Sequence, residues 1–276
     1  SMTSEVRAVA EDIAEGVRSG ARYRDFEVVL ASPDAYAEEV KSAFLRYGIP
    51  FFIDTREPLA GQTKVRFLLS AMAAARSNFA RADVMGLVKN PLFASVAGVT
   101  DDDIFVFENY CLEFNIDRSR FRAPFTLGEE PSRARAEQVR AGAQRAAERF
   151  AEGGVTPPAA WTAKVRGFLD EAEDAWRAHT AKLTEMSLYY AKCAAQVDEK
   201  TEELLAEMER ALDAEGDGAY FERIFRSMAA SVKIALVPTF LDAVFVGDTH
   251  SRYIGSGDIF VLGATVGSLP AAGGGG

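Results

Sequence analysis

The chain has 276 residues, a formal net charge of −10 and an isoelectric point of about 4.9. Hydrophobic residues make up 48% and charged residues 26%, which is typical of a globular protein with one large domain or two smaller ones. The acidic total excludes a nucleic-acid-binding protein that depends on overall basic charge, but it leaves room for local basic patches.

The cysteines, together with the lack of a signal or membrane-spanning segment, indicate the cellular compartment of the protein. Cys111 and Cys193 lie far apart and belong to no motif, as buried thiols of a reducing cytoplasm do. No basic start leads into an apolar signal segment, and no run approaches the roughly 20 apolar residues that span a bilayer. We therefore expect a cytoplasmic protein without a membrane partner. Ser1-Met2 and the glycine run at 273–276 suggest a piece excised from a longer protein.

The first quarter of the chain predicts alternating helices and strands. The first helix carries an apolar stripe at helical spacing, formed by Val6, Val9, Ile13 and Val17. After Gly20, a strand is expected at 26–31 (FEVVLA), and Ser32-Pro33 then opens a second helix that ends at Gly48. A second strand follows at 49–53. Strand, helix and strand with short turns predict a βαβ unit, and hence parallel strands.

The middle of the chain predicts helices, and strands return near its end. From residue 64 to about 237 the pattern is almost entirely helical, with long helices expected at 133–152, 160–183, 188–212 and 220–236. Strands are expected again at 243–247 (AVFVG) and 258–263 (DIFVLG). The late strands should complete the early sheet. The predicted fold is therefore α/β, with a first part at 1–62, a helical insertion at 63–238 and a return to the sheet at 239–276.

The sequence offers no readable catalytic or metal site. It lacks the G-x-x-x-x-G-K-[ST] loop that cradles ATP phosphates, and Gly255-x-Gly257 is too short for a dinucleotide fingerprint. Pro33-Asp34 with Glu39-Val40-Lys41 imitates a nuclease pattern, but both parts lie on one predicted helix. The two histidines have no partner at a metal-ligand spacing. Three aspartates follow Thr100, at Asp101-Asp102-Asp103. This pattern favours the start of a helix over a cation site, because acidic side chains stabilise a helix N-terminus.

One arginine-rich stretch is a candidate contact for DNA. In NIDRSRFRAPF, Arg118, Arg120 and Arg122 lie beside Phe121 and Phe125, and Phe114 immediately precedes the stretch. Arginines suit phosphates, and interleaved aromatic rings suit stacked bases. The alternative is a charged loop after a helix, with its aromatic rings in the core. The sequence alone leaves both interpretations open.

Four stretches in order carry a resemblance to a known family. They are RYRDFEVVLASPDAYAEEVKSAFLRYGIPFFIDTREPL near the start, VRFLLSAM at 65–72, FENYCLEFNI at 107–116 and IFVLGATVGSLPA at 259–271. Together they resemble AddB, the smaller subunit of the bacterial AddAB helicase–nuclease, within the UvrD-like helicase superfamily. The matching part is the second RecA-like domain, in which a mostly helical subdomain is inserted.

The resemblance implies a partial RecA-like parallel sheet with a large helical insertion, in a subunit that processes double-strand DNA ends for recombinational repair. Its implied partners are DNA and an AddA-type helicase–nuclease subunit. The whole protein would be an ATP-dependent enzyme that uses ATP and magnesium, with an iron–sulfur cluster as a further candidate cofactor. This chain is expected to supply DNA-channel and subunit contacts, without a cofactor or catalytic residue of its own.

Two further stretches bear on that resemblance. After the second strand, Asp54 and Arg56 form a hook that we expect to fix the exit from the RecA-like core by hydrogen bonds, with a plain structural turn as the alternative. Arg252, in Asp-Thr-His-Ser-Arg at 248–252, is a fourth candidate DNA contact. The family often has His-Pro after the hook, where this chain has Gln62-Thr63.

Two other functions remain as alternatives. A piece of an active UvrD-type helicase should carry an intact motor motif near 249–258, and the Lys-Gly of that motif is missing here. A helical protein-interaction scaffold should show no salt-dependent affinity for DNA. It should also show no pairing between the strand at Phe26 and the strand at Ile259.

Overall fold

The computed structural model describes residues 1–53, 57–151, 154–186, 188–234, 242–248 and 257–264. The helices are α1 (Met2–Arg18), α2 (Pro33–Tyr47), α3 (Thr63–Arg76), α4 (Arg81–Val88), α5 (Phe93–Ala97), α6 (Asp101–Glu113), α7 (Ser132–Ala151), α8 (Pro158–Glu171), α9 (Glu173–Met186), α10 (Leu188–Ala211) and α11 (Gly218–Ser231). The strands are β1 (Phe26–Leu30), β2 (Phe51–Ile53), β3 (Glu57–Pro58), β4 (Lys233–Ile234), β5 (Val244–Asp248) and β6 (Asp258–Leu262). Short 3₁₀ helices occur at Tyr23–Asp25, Leu59–Gly61 and Arg118–Arg122.

Strands from both ends of the chain form one parallel sheet in the order β2-β5-β1-β6. On one side of β1, Val28 pairs with Val246 of β5, and on the other side Glu27 pairs with Ile259 of β6. The predicted fold class is therefore confirmed, since the late strands complete the early sheet. The same pairing contradicts the helical-scaffold alternative, which required these strands to stay apart.

One face of the sheet is covered by α1 and α2. Phe26, Val28 and Leu30 of β1 point into this core, because alternate side chains of a strand project to the same face. Val40 and Phe44 of α2 are fully buried against them. Tyr36 and Leu45 of the same helix are only half-buried. Their partial exposure follows from position, since both lie at the margin of the apolar stripe of α2.

A glycine permits the start of β6. A Cβ atom added at Gly257 would lie 1.8 Å from the carbonyl oxygen of Asp25, far inside van der Waals contact. Only a residue without a side chain allows the two backbones to approach this closely. The second glycine of the Gly255-x-Gly257 motif therefore has a structural role in strand pairing.

The chain divides into two compact units. One comprises Ser1–Arg56, Thr184–Cys193 and Ala235–Gly276, and the other comprises Glu57–Leu183 and Ala194–Ile234. The first unit holds the four-stranded sheet, and the second is mostly helical. The domain boundaries expected at 62 and 238 stay a prediction.

Two helices of the helical unit have different bounds from those predicted. The helix expected at 160–183 is divided at Ala172, whose N–H bonds the carbonyl of Leu169, three residues back, in a tightened last turn of α8. The helix expected at 220–236 ends at Ser231, because Lys233 and Ile234 pair with Pro58 and Glu57 as an antiparallel ribbon. Hydrophobic periodicity cannot predict a strand pairing of only two residues with a segment far away in the sequence. None of the helices in the described ranges is long and apolar enough to cross a membrane.

Candidate nucleic-acid interface

The arginine-rich stretch forms a 3₁₀ turn after α6, at Arg118–Arg122, which we call the arginine turn. Asp117 organises it, since one carboxylate oxygen accepts hydrogen bonds from the backbone N–H of Arg118 at 3.0 Å and of Arg81 at 2.7 Å. The side chains of Arg118, Arg120 and Arg122 are exposed, whereas Phe121 between them points inward. The turn therefore separates its cationic and apolar residues onto opposite sides.

The aromatic residues of this stretch belong to the core. Phe121 and Phe125 are 1% and 8% exposed, and both pack against Phe107 of α6. Phe125 also stacks on Tyr110, with ring centroids 4.7 Å apart. The structure therefore agrees with the core interpretation of these two rings, which offer no free face for a nucleic-acid base.

Two of the arginines cap the carboxyl ends of helices. Arg118 donates from Nη1 to the carbonyl oxygen of Ser77, the C-cap of α3, at 3.2 Å. Arg120 donates from Nη1 to the carbonyl oxygen of Phe114, the C-cap of α6, at 2.9 Å. A cation is favoured there, because the last carbonyls of a helix carry its partial negative charge.

The third arginine is held by polar and aromatic contacts. Arg122 donates from Nε to the side-chain oxygen of Asn78 at 2.9 Å, and its guanidinium lies 5.3 Å from the centre of the Phe79 ring. Among the residues that the structure describes, none of the three turn arginines forms an ion pair with a carboxylate. A guanidinium carries more N–H donors than these contacts use, so each arginine retains donors for a phosphate.

Left-handed backbone is concentrated around the arginine turn. Within the described ranges, the non-glycine residues with positive φ are Asn78 (56°), Phe79 (61°), Asn115 (47°) and Arg118 (48°). The two asparagines follow the C-caps of α3 and α6, where this conformation commonly ends a helix. Phe79 and Arg118 adopt it less easily, and the carbonyl of Phe79 accepts from the N–H of Arg118 at 3.0 Å. Such strain clusters at functional sites, so it supports this turn as the candidate site.

A partly buried ion pair on α7 supports residues 121–125. Arg140 is 6% exposed and donates from Nη1 to the carbonyl oxygen of Phe121 at 2.8 Å. Its other nitrogens bind both carboxylate oxygens of Glu137, at 2.6 and 2.7 Å. One of those oxygens also accepts from the backbone N–H of Phe125 at 2.9 Å. Arg140 and Glu137 together hold both ends of residues 121–125.

The supporting residues were not identified from the sequence. Arg81 reaches the site through its Nη1, which lies 3.4 Å from the side-chain oxygen of Asn115. Arg140 lies on α7, where Arg145 and Arg149 are exposed, yet Arg140 itself is buried. The sequence does not distinguish Arg140 from the other arginines of α7, because its burial depends on which segment packs against that side of the helix.

The described residues do not fit a metal or cluster site. No group of three or more His, Cys, Asp and Glu side chains in these ranges could hold a metal ion. Burial raises the pKa of the Cys111 thiol to about 12, as expected of a buried structural cysteine. Asp54, Arg56 and Arg252 lie outside the described residues, and their expected roles stay predictions.

Comparison with known proteins identifies relatives over part of the chain. No protein-family model matches it. The AddB-type subunits of ATP-dependent helicase/deoxyribonucleases from Streptococcus pyogenes serotypes M49 (strain NZ131) and M4 (strain MGAS10750) are 32% identical over 124 residues. The match covers 45% of this chain and 11% of each relative, so the matched part spans about a tenth of the relatives' length. The comparison therefore confirms, over those 124 residues, the resemblance of this chain to the AddB-type subunit of the ATP-dependent helicase/deoxyribonucleases.

Proposed function

We propose that this chain is part of an AddB-type subunit that processes double-strand DNA ends for recombinational repair. The similarity to curated subunits of an ATP-dependent helicase/deoxyribonuclease supports this proposal. In it, the chain contributes contacts to DNA and to an AddA-type partner subunit. ATP, magnesium and any iron–sulfur cluster are assigned in this proposal to other parts of the whole protein, because this sequence lacks a phosphate-binding loop and a readable metal site.

Within that role, the arginine turn contacts the phosphodiester backbone of DNA. The observation that carries this assignment is the set of three exposed guanidinium groups without a carboxylate partner among the described residues, in a chain whose net charge is −10. Because other exposed arginines, such as Arg7, Arg18 and Arg177, pair with acidic side chains, this turn concentrates positive charge that is not neutralised locally. Helix C-termini hold two of the guanidinium groups in place before DNA arrives, which lowers the entropic cost of binding.

The turn would bind DNA without reading its sequence. Phosphate contacts position a protein on DNA but carry no direct sequence information. The buried Phe121 and Phe125 leave no aromatic platform for a base. We therefore expect binding that is weak at physiological salt, independent of base composition and steeply dependent on salt concentration.

The test compares two triple variants of the 276-residue chain. One carries Arg118→Gln, Arg120→Gln and Arg122→Gln. The matched control carries Arg177→Gln, Arg210→Gln and Arg223→Gln, which change three exposed arginines of the same helical unit. Binding to a fluorescein-labelled forked DNA is measured by anisotropy from about 50 to 200 mM salt, the range over which phosphate contacts change affinity strongly.

We expect the turn variant to lose about two to three units of the log–log salt slope, roughly one for each lost phosphate contact. The control should keep the slope of the unsubstituted chain, although both variants carry the same net charge. Equal losses in the two variants would show that only overall charge matters. Absence of salt-dependent binding by the unsubstituted chain would overturn the assignment to DNA.

A further inference from the structure

The outward surface of α6 exposes two large apolar side chains on one stripe. Phe105 and Leu112 are 62% and 60% exposed, and they share one helix face, unlike apolar residues that are scattered singly over a surface. They lie seven positions apart, so two helical turns place them on the same face, about 10 Å apart along the axis. This is the spacing of apolar residues in a seam between two packed helices.

The helix that carries this stripe is firmly held on its other side. Phe107, Tyr110 and Cys111 are buried, and they anchor α6 in the helical unit. At its N-terminus, Thr100 and Asp103 form a capping box, with the Thr100 N–H bonding the Asp103 carboxylate at 2.9 Å. The exposure of Phe105 and Leu112 is therefore a property of an ordered helix face, not of a frayed end.

Acidic groups surround the two apolar side chains. Asp101 and Glu113 are exposed at either end of the stripe, and neither forms an ion pair among the described residues. Closer to the flanks, Asp102 pairs with Arg135, and Glu108 pairs with Lys89 at 2.6 Å. Uncompensated carboxylates disfavour a phosphate backbone and favour a cationic partner.

We propose that this surface, which we call the α6 outer face (Asp101, Phe105, Asn109, Leu112 and Glu113), binds a helix of a protein partner. That helix places apolar side chains at heptad spacing on Phe105 and Leu112, and lysine or arginine side chains beside Asp101 and Glu113. Asn109, exposed between the two apolar residues, provides a polar contact that sets the register, as a buried asparagine does in helical seams. This inference does not rest on the proposed contact with DNA.

Other exposed apolar residues of the same unit provide a matched control. Leu127 and Val155 are 46% and 65% exposed, but each lies in a connecting segment and not on a helical stripe. Isolated apolar residues of this kind are normal on protein surfaces. Substituting them removes comparable apolar area without touching the α6 outer face.

The probe is a synthetic 21-residue helical peptide with leucine at heptad spacing and lysine at the flanking positions. A second peptide has glutamate in place of each lysine. Calorimetric titration of the 276-residue chain with both peptides is repeated for a Phe105→Ser, Leu112→Ser variant and for a Leu127→Ser, Val155→Ser variant. Thermal unfolding of each variant shows whether it remains folded, which we expect because the substituted side chains are exposed.

We expect the lysine peptide to bind at least about tenfold more tightly than the glutamate peptide, because only the first complements the carboxylates. The Phe105→Ser, Leu112→Ser variant should lose at least about tenfold of that affinity, since two apolar contacts disappear, while the control variant keeps it. Equal affinity of both variants, or no binding of the lysine peptide, would overturn the proposal. The substitutions at Arg118, Arg120 and Arg122 should leave peptide binding unchanged, so failure of the DNA assignment stays distinguishable.

Discussion

The sheet of the first unit and the arginine turn of the second are stabilised in different ways. In the sheet, β1 is buried along its whole length, and apolar side chains of α1 and α2 cover one face. In the arginine turn, directional hydrogen bonds to backbone carbonyls hold cations that stay exposed. Burial of apolar side chains therefore stabilises the first region. In the second, polar contacts provide a fixed arrangement of charge at some cost in backbone strain.

The largest effect should come from removing a core side chain of the sheet. Phe44 is fully buried and packs edge-on against Phe51, with ring centroids 5.8 Å apart. We expect Phe44→Ala to lower the free energy of unfolding by about 3–5 kcal/mol, through lost burial and the cavity it leaves. Urea unfolding measures this change. Phe105→Ala, at an exposed phenylalanine, should change it by less than about 0.5 kcal/mol, and similar costs for both would contradict burial as the stabilising term.

An intermediate effect should follow from removing the support of the arginine turn. Arg140→Met leaves the Glu137 carboxylate without its partner and the Phe121 carbonyl without a donor. We expect a loss of about 2–3 kcal/mol, less than for a fully buried pair, because Glu137 keeps part of its exposure to water.

Urea unfolding also measures this second change. Arg223→Met, at an exposed arginine, is the matched control and should stay within about 0.5 kcal/mol. If Arg140→Met were as mild as the control, the polar contacts around residues 121–125 would not determine their arrangement.

The smallest effect concerns pH and the start of α6. Hydrogen bonds from the Thr100 hydroxyl and backbone N–H, followed by that from Arg135, lower the pKa of Asp103 from 3.8 to about 2. A carboxyl group with a lowered folded-state pKa contributes stability that is present above its unfolded pKa. That contribution is lost as the pH falls from about 4 towards 2.

Asp103→Asn should therefore flatten the dependence of the free energy of unfolding on pH between about 4 and 2. The slope should fall by at most the amount that corresponds to about one proton bound on unfolding. Unfolding in urea at several pH values measures the slope. Asn109→Ser, at an exposed position of the same helix that carries no ionisable group, is the matched control. A steeper pH dependence in the Asp103→Asn protein than in the unsubstituted chain would contradict the prediction.

Local elements were largely predictable because their signals lie within a few residues. The periodic pattern at 133–152 corresponds to α7 at Ser132–Ala151, and Thr100 with Asp103 forms the expected start of α6. The division at Ala172 and the early end of α11 at Ser231 were missed. Both follow from packing and from pairing with a distant segment, which no short window of sequence contains.

The candidate site was predictable only in its charged residues. Arg118, Arg120 and Arg122 stand out in the sequence, but their hydrogen-bond partners include Ser77 and Asn78, from a different helix end. The burial of Arg140 could not be foreseen either, since the same helix carries several solvated arginines. Whether an arginine is exposed, paired or buried depends on which helix packs against it.

By itself, the sequence determined the apolar alternation of β1, the helical stripes, the capping residues and the excess of acidic charge, because each depends on neighbouring residues. Only the tertiary structure decided the strand order β2-β5-β1-β6 and the fully buried environment of β1. It also decided which carbonyls the turn arginines bind and which face of α6 stays open. These features arise from contacts between residues far apart in the chain, whose pairing is selected by burial and backbone hydrogen bonding across the whole fold.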